Sequence, residues 1–294
     1  MKVRIGVGTG GGIGPEALDS LAGDLVELGF DSLWMPEVLS SAGFDPLVAL
    51  AWVSARRPRL KVGTTMLLPG RNVARTAKQL ATLDVLSGGR FLVTFVPGLA
   101  RGPERSAVGL PPNRRGAAMD EMLPLLRRLW AGETVTYDGP VAQLDEVSIE
   151  PRPLQEPFDV WLGGSAQAAL ERCGRLGDGW LPAMSTAAEV AAGRRVIETV
   201  AAESGRSISE EHFGVSVGYA TEPLSDAQAV ALGTRARGRP LEALVPTSLD
   251  ALRSKLRQFV DVGFSKFVVR PLVAPADWRA ELEALAAAVG DLQT

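Results

Sequence analysis

The stretch Lys61-Val-Gly-Thr-Thr-Met-Leu-Leu-Pro-Gly-Arg-Asn-Val-Ala-Arg-Thr-Ala-Lys-Gln-Leu-Ala-Thr-Leu-Asp-Val-Leu-Ser-Gly-Gly-Arg-Phe-Leu-Val-Thr-Phe-Val96 contains one complete structural unit. Lys61–Leu67 reads as a strand, Val73–Leu86 as a helix stopped by Gly88–Gly89, and Arg90–Val96 as the next strand. A helix between two strands is what a chain needs to return and pair in parallel.

The same unit recurs in both directions. Upstream, the apolar run Val3–Gly8 is closed by glycines, and Pro15 opens a helix carrying Leu18, Leu21, Leu25 and Leu28, ended by Gly29. Ser32–Pro36 is a second strand, and Asp45–Pro46 opens a helix that runs to about Arg57. Downstream, a helix over Arg115–Trp130 is followed by an excursion at Glu133–Pro153, read as a hairpin turning at Asp138–Gly139. Strands are then expected at Phe158–Leu162, Gly179–Pro182, Phe213–Ala220 and Lys266–Arg270. The helices between and after them are Gln167–Leu176, Ala187–Glu203, one marked by Leu249, Leu252, Leu256, Phe259 and Val260, and a last one marked by Trp278, Leu282, Leu285 and Val289. Eight strands alternate with helices, without a linker or a shift in composition. The expectation is one α/β domain over residues 1–294, a (β/α)8 TIM barrel with a small hairpin insertion at 133–153. An open doubly wound sheet of eight strands is the competing topology.

The chain has 294 residues, which suits one such barrel. Its net charge is −3 with both signs interspersed, so no basic stripe marks it for nucleic acid or an anionic membrane. No apolar run approaches the roughly 20 residues that span a bilayer, and the glycine-broken N-terminus reads as a first strand. One cysteine, Cys173, excludes an internal disulfide and any all-cysteine metal site; the reducing cytoplasm is the expected compartment. With one histidine, His212, a Ser–His–Asp triad or a zinc site has little to be built from, and no metal is expected. His212 opens a strand at the end away from an expected site, and Cys173 shares an apolar helix stripe.

In a barrel of this kind the chemistry lies where the strands end. Gly163–Gly164–Ser165 follows a strand and precedes a helix, so its backbone N–H groups suit an anion, although Ser165 reads equally well as a helix cap. Arg270 ends the eighth strand and is a candidate fixed charge for the same phosphate. Glu37 ends the second strand, where a carboxylate suits either proton handling or a structural bond. Gly6-Val-Gly-Thr-Gly-Gly11 fits a G-x-G-x-x-G dinucleotide turn, but the next helix starts at Pro15, late for that motif. Few acid–base groups and many glycines suit chemistry carried by an organic cofactor.

Four segments, in order, resemble the bacterial luciferase-like monooxygenase family, which includes coenzyme F420-dependent enzymes. They are Ala77–Arg90, Leu129-Trp-Ala-Gly-Glu133 with Glu150-Pro-Arg-Pro153, Val160-Trp-Leu-Gly-Gly-Ser165, and Arg175-Leu-Gly-Asp-Gly-Trp-Leu-Pro182. The resemblance spans about residues 3 to 290 and implies the barrel. It implies a flavin-like ring against Thr64, Thr65 and Met66, where many members carry a non-prolyl cis peptide, flanked by Pro97 and Gly98. The cofactor phosphate would lie near Gly163, Gly164 and Ser165, with Gly179 and Trp180 close by. It implies hydride transfer between coenzyme F420 and a small organic substrate, in a homodimer. The alternatives are an FMN-dependent monooxygenase served by a reductase partner, and a barrel that binds cofactor without catalysis. Arginine far outnumbers the five lysines, a composition that tilts the cofactor toward F420. Two departures stand out. Pro36–Glu37–Val38 lacks the acid–histidine pair common in members, and Pro246-Thr-Ser-Leu-Asp250 lacks a glycine usual before the penultimate helix. Arg101–Arg114, polar and rich in glycine and proline, reads as a lid or as a plain connection.

Overall fold

The computed structural model describes residues 1–10, 12–99, 102 and 104–294. Eight parallel strands carry the architecture: β1 (Arg4–Gly8), β2 (Ser32–Trp34), β3 (Lys61–Leu67), β4 (Phe91–Val96), β7 (Val160–Leu162), β8 (Gly179–Trp180), β9 (Gly214–Tyr219) and β10 (Lys266–Pro271). They are ordered β8-β7-β4-β3-β2-β1-β10-β9. Parallel bridges Trp180↔Phe213 and Ala183↔Ser216 join the two ends, so the sheet curls into a nearly closed barrel. The Ser216 N–H donates to Pro182 O at 2.8 Å across that seam. Closure removes the open-sheet topology and with it the dinucleotide-binding reading of Gly6–Gly11, of which Gly11 lies outside the described residues.

The helices start where the chain supplies N-terminal signals. In α1 (Pro15–Glu27) and α2 (Pro46–Arg56) a proline occupies the first turn, and Asp45 caps α2 by accepting from the Val48 N–H. Asn72 caps α3 (Val73–Ser87), and Gly88 ends it in the left-handed region at φ +67°. Their apolar stripes pack on the outer face of the sheet. On the inner face the floor is closed by Trp34, Leu181 and Val268, with Leu92 and Trp161 against them. Large rings fit there because Gly63 and Gly179 lack side chains: a Cβ at Gly63 would stand 2.5 Å from the Trp34 ring, and one at Gly179 2.4 Å from the Trp161 ring.

The insertion is the antiparallel pair β5 (Val135–Asp138) and β6 (Gln143–Val147). Its connection is the four residues from Gly139 to Ala142, closed by Gly139 N–H donating to Ala142 O, and not a two-residue turn at Asp138–Gly139. The helix expected from Arg115 begins earlier, as α5 (Pro112–Trp130), after the short α4 (Glu104–Ala107). Next come α6 (Gln167–Leu176) and α7 (Ala187–Glu203). An unexpected helix, α8 (Asp226–Ala236), follows β9 and is started by a capping box of Ser225 and Gln228. The chain closes with α9 (Leu249–Asp261) and α10 (Trp278–Val289). No helix of the described residues is long and apolar enough to cross a membrane.

Candidate functional site

The carboxyl ends of the strands form a mouth built of several clamps. The first joins β2 to β3. Glu37 accepts the Leu67 N–H at 2.7 Å and pairs with the Arg71 guanidinium, whose Nε donates to Leu67 O at 2.7 Å. Both backbone polar groups of Leu67 are thereby satisfied where the sheet ladder ends. Burial raises the Glu37 carboxyl above its ordinary range, opposed by Arg71 and the Leu67 N–H. With its side chain 4% exposed and both oxygens engaged, Glu37 holds the β3 terminus in this arrangement.

The second clamp is Arg115, unforeseen in the sequence. Its side chain is buried and donates to four carbonyls: Leu99 O and Arg105 O at 2.8 Å, Leu110 O at 3.0 Å and Pro97 O at 3.3 Å. Glu104 reaches across to accept the Ser40 N–H at 3.1 Å, joining this connection to the loop after β2. Of the segment expected as a lid, Arg101 and Pro103 lie outside the described residues. Within it, these bonds hold Glu104, Arg105 and Leu110. Pro97 and Gly98 are half-buried on this wall, and a Cβ at Gly98 would stand 2.8 Å from the Leu67 side chain.

At the end of β3 the three expected residues differ. Thr64 and Met66 are fully buried; the Thr64 hydroxyl donates to Met35 O at 2.8 Å, and Met66 packs in the outer core. Thr65 belongs to the inward-facing row and is half-buried. The ladder runs regularly from Thr64↔Val93 to Leu67↔Val96. Among the described residues the cis peptides are Glu150–Pro151 and Glu156–Pro157, so the non-prolyl cis bond implied at Thr64–Met66 is absent.

The third part is the loop after β7. Gly163 N–H donates to Phe95 O at 2.9 Å, Gly164 holds φ +104°, and Ser165 is exposed. The residue capping α6 is Ala166, which has no side-chain acceptor to offer. Ser165 is therefore not the cap. The first N–H groups of α6 stay open beside a glycine turn, the arrangement that suits an anionic group and so fits a cofactor phosphate. Trp180 does not face the mouth: it is 1% exposed, its ring meets Gly193 and Phe264, and its indole N–H donates to Gly164 O at 2.9 Å. Gly179 is likewise buried against Trp161. Trp180 thus meets the loop from behind, at Gly164 O.

Arg270 stands elsewhere. It extends the inward row of β10 above Val268 and lies over Gly8 and Gly10 of the first strand and its loop. Passing round the ring from β7 through β8 and β9 reaches β10, so Arg270 and Gly163–Ser165 occupy separate parts of the mouth. The expectation that both serve one phosphate is not carried by this placement. His212 sits at the opposite face, its Nδ1 2.9 Å from Asp178 O. Cys173 is buried under α6, its thiol pushed up to about 12 by burial.

The quoted motifs are mostly scaffold. Asp84 accepts the N–H groups of Leu154 and Gln155 at 2.7 and 3.0 Å, and the Arg90 guanidinium donates to Leu60 O. Asp178 accepts the Val160 N–H at 2.9 Å and pairs with Arg127 and Arg206.

Comparison with known proteins adds the relatives. The chain is 31% identical over 176 residues to an F420-dependent glucose-6-phosphate dehydrogenase of Kineococcus radiotolerans, covering 57% of this chain and 52% of the relative. It is 37% identical over 128 residues to an FMNH(2)-dependent dimethylsulfone monooxygenase of Pseudomonas fluorescens, covering 42% of this chain and 34% of that one. The chain thus spans about a third to a half of the length of these relatives. Among solved structures, an F420-dependent secondary alcohol dehydrogenase in complex with an F420-acetone adduct superposes over the whole of both chains with a TM-score of 0.83 at 17% identity. That likeness concerns the fold. The sequence profile of the luciferase-like monooxygenases matches residues 2–259, and the chain belongs to this family.

Proposed function

We propose that residues 1–294 form one catalytic unit, an oxidoreductase that transfers hydride between coenzyme F420 and a small organic substrate. The observation that carries this reading is the open N-terminus of α6 behind the Gly163–Gly164–Ser165 turn, on a barrel of this family. The relatives named as F420-dependent support the choice of cofactor. When bound, F420 supplies a ring carbon that carries hydride. The protein's part is to bind, orient and exclude water. The backbone N–H groups after Gly163 hold the phosphate, while Thr65, Pro97 and Gly98 line the ring. The Glu37–Arg71 and Arg115 clamps fix those walls, and Trp180 fixes Gly164 from behind.

The FMN-dependent monooxygenase, with its reductase partner, is the second reading; it is favoured by the match to the dimethylsulfone monooxygenase. A barrel that binds cofactor without catalysis is the third, because Glu37, the expected reacting carboxylate, is fully engaged.

The proposal includes a homodimer in a reducing cytoplasm, where Cys173 stays a thiol. Val48 and Trp52, exposed apolar residues four apart on α2, with exposed Phe44 just before the helix, support the association; Val48 is 71% exposed.

Fluorescence titration of the purified protein with F420, FMN and NADPH tests the cofactor. F420 is expected to bind saturably, and Ser165→Asp is expected to weaken it about tenfold through like-charge repulsion at the helix start. Binding of NADPH with neither flavin contradicts the proposal. Turnover of reduced F420 separates the enzyme from the pure binder.

A further inference from the structure

Among the described residues the buried arginines have partners. Arg115 spends its donors on four carbonyls, and Arg172 pairs with Asp120 at 2.8 Å. Arg270 is half-buried, and among the described residues its guanidinium has no hydrogen bond and no ion pair. Space has been made for it. A Cβ at Gly8 would stand 3.3 Å from the Arg270 Cβ, and one at Gly10 3.2 Å from its Nη1. On β9 the residue in register with Arg270 is a third glycine, Gly218.

A guanidinium does not shed its proton at neutral pH, so burial lowers its pKa without neutralising it. A charge held partly out of water without a partner is costly. The missing partner is therefore an anion brought by a ligand. A carboxylate or phosphate matches the planar fork of the guanidinium with two parallel hydrogen bonds. The loop at Gly163–Ser165 lies on another part of the ring, so one phosphate does not serve both places.

We infer that Arg270 binds an anionic group, carboxylate or phosphate, of the substrate. The anion site stands on the geometry alone; its assignment to substrate rests on the cofactor reading above.

Calorimetric titration at constant ionic strength, on cofactor-free and on F420-loaded protein, tests both parts. The probes are inorganic phosphate, benzoate, and neutral benzamide as control. Phosphate and benzoate are expected to bind and benzamide is not. Arg270→Gln is expected to weaken the anions at least about thirtyfold, as truncation of one partner of a buried charge pair does. It is expected to leave F420 affinity within twofold, and Arg270→Lys to recover part of the anion affinity. Without any ligand, Arg270→Gln is also expected to raise Tm by about 2–4 °C, since it removes an unpaired, partly buried charge. Equal anion affinity in Arg270→Gln means an adventitious ion only and overturns the inference. A tenfold loss of F420 affinity instead assigns Arg270 to the cofactor and overturns the substrate assignment. A Tm lowered by that variant means the side chain has a partner in the fold and overturns the site. Failure of F420 to bind at all sinks the cofactor reading, while the cofactor-free titration still decides the anion site.

Discussion

Trp180 shows how a residue far from solvent governs the mouth. Its ring is locked between Gly193 and Phe264, and its one polar atom holds the carbonyl of Gly164. Trp180→Phe keeps most of the packing and deletes that bond, worth about 1 kcal/mol. F420 affinity is expected to fall about fivefold as the loop loosens, with little change in Tm; unchanged affinity would separate the loop from the phosphate. Cys173 behaves in the opposite way, as a residue without a task at the site. Its thiol is pushed up to about 12, and the thiolate is the form that reacts. The native protein is therefore expected to resist iodoacetamide at pH 8, and to take up one label per chain in denaturant. Labelling of the folded protein within minutes would show that the thiol is neither buried nor neutral. Glu37 and Arg270 were both visible in the sequence as charged residues at strand ends. Their tasks were not, because a one-dimensional pattern does not say whether a neighbour, here Arg71 for one and nothing for the other, completes the charge.

Among the elements, α3 and the turn after it explain why the most specific stretch of sequence lies away from the chemistry. Gly88 and Gly89 turn the chain at the amino-terminal face, Arg90 bolts the turn to Leu60 O, and Asp84 ties down residues 154 and 155. Asp84→Ala removes the charged acceptor of two part-buried N–H groups and is expected to cost about 3 kcal/mol in a urea titration. A loss under 0.5 kcal/mol would mean that water replaces the carboxylate. The eight strands were legible because apolar runs closed by glycine recur with helices between them. Edges drifted by a residue or two where the chain leaves the sheet. Phe158, expected in a strand, instead packs on Trp130 with ring centroids 4.6 Å apart. Helix α8 escaped notice because two of its residues, Leu232 and Ala236, are buried, too few to print a stripe. Its Ser225–Gln228 capping box was the signal available. Arg115 was hidden for a related reason: an arginine in the first turns of a helix usually faces water, and its carbonyl partners lie scattered from Pro97 to Leu110.

For the whole molecule, closure of the sheet decides what kind of site is present. A closed ring turns Gly6, Gly8 and Gly10 from a suspected nucleotide turn into the smooth inner wall that leaves room for Trp34 and Arg270. The exposed apolar residues on α2 then concern assembly. Light scattering is expected to give twice the 31.1 kDa chain mass, and Val48→Glu to shift the population to monomer. A monomeric wild-type protein at micromolar concentration would remove the proposed dimer. The most direct test of the central claim is a crystal structure of the F420 complex. The account predicts the cofactor phosphate within about 3 Å of backbone N–H groups from Gly164 to Gln167, a hydrogen-bonding distance. A phosphate bound at the Gly8–Gly10 side against Arg270, with the α6 N-terminus facing only solvent, would contradict it.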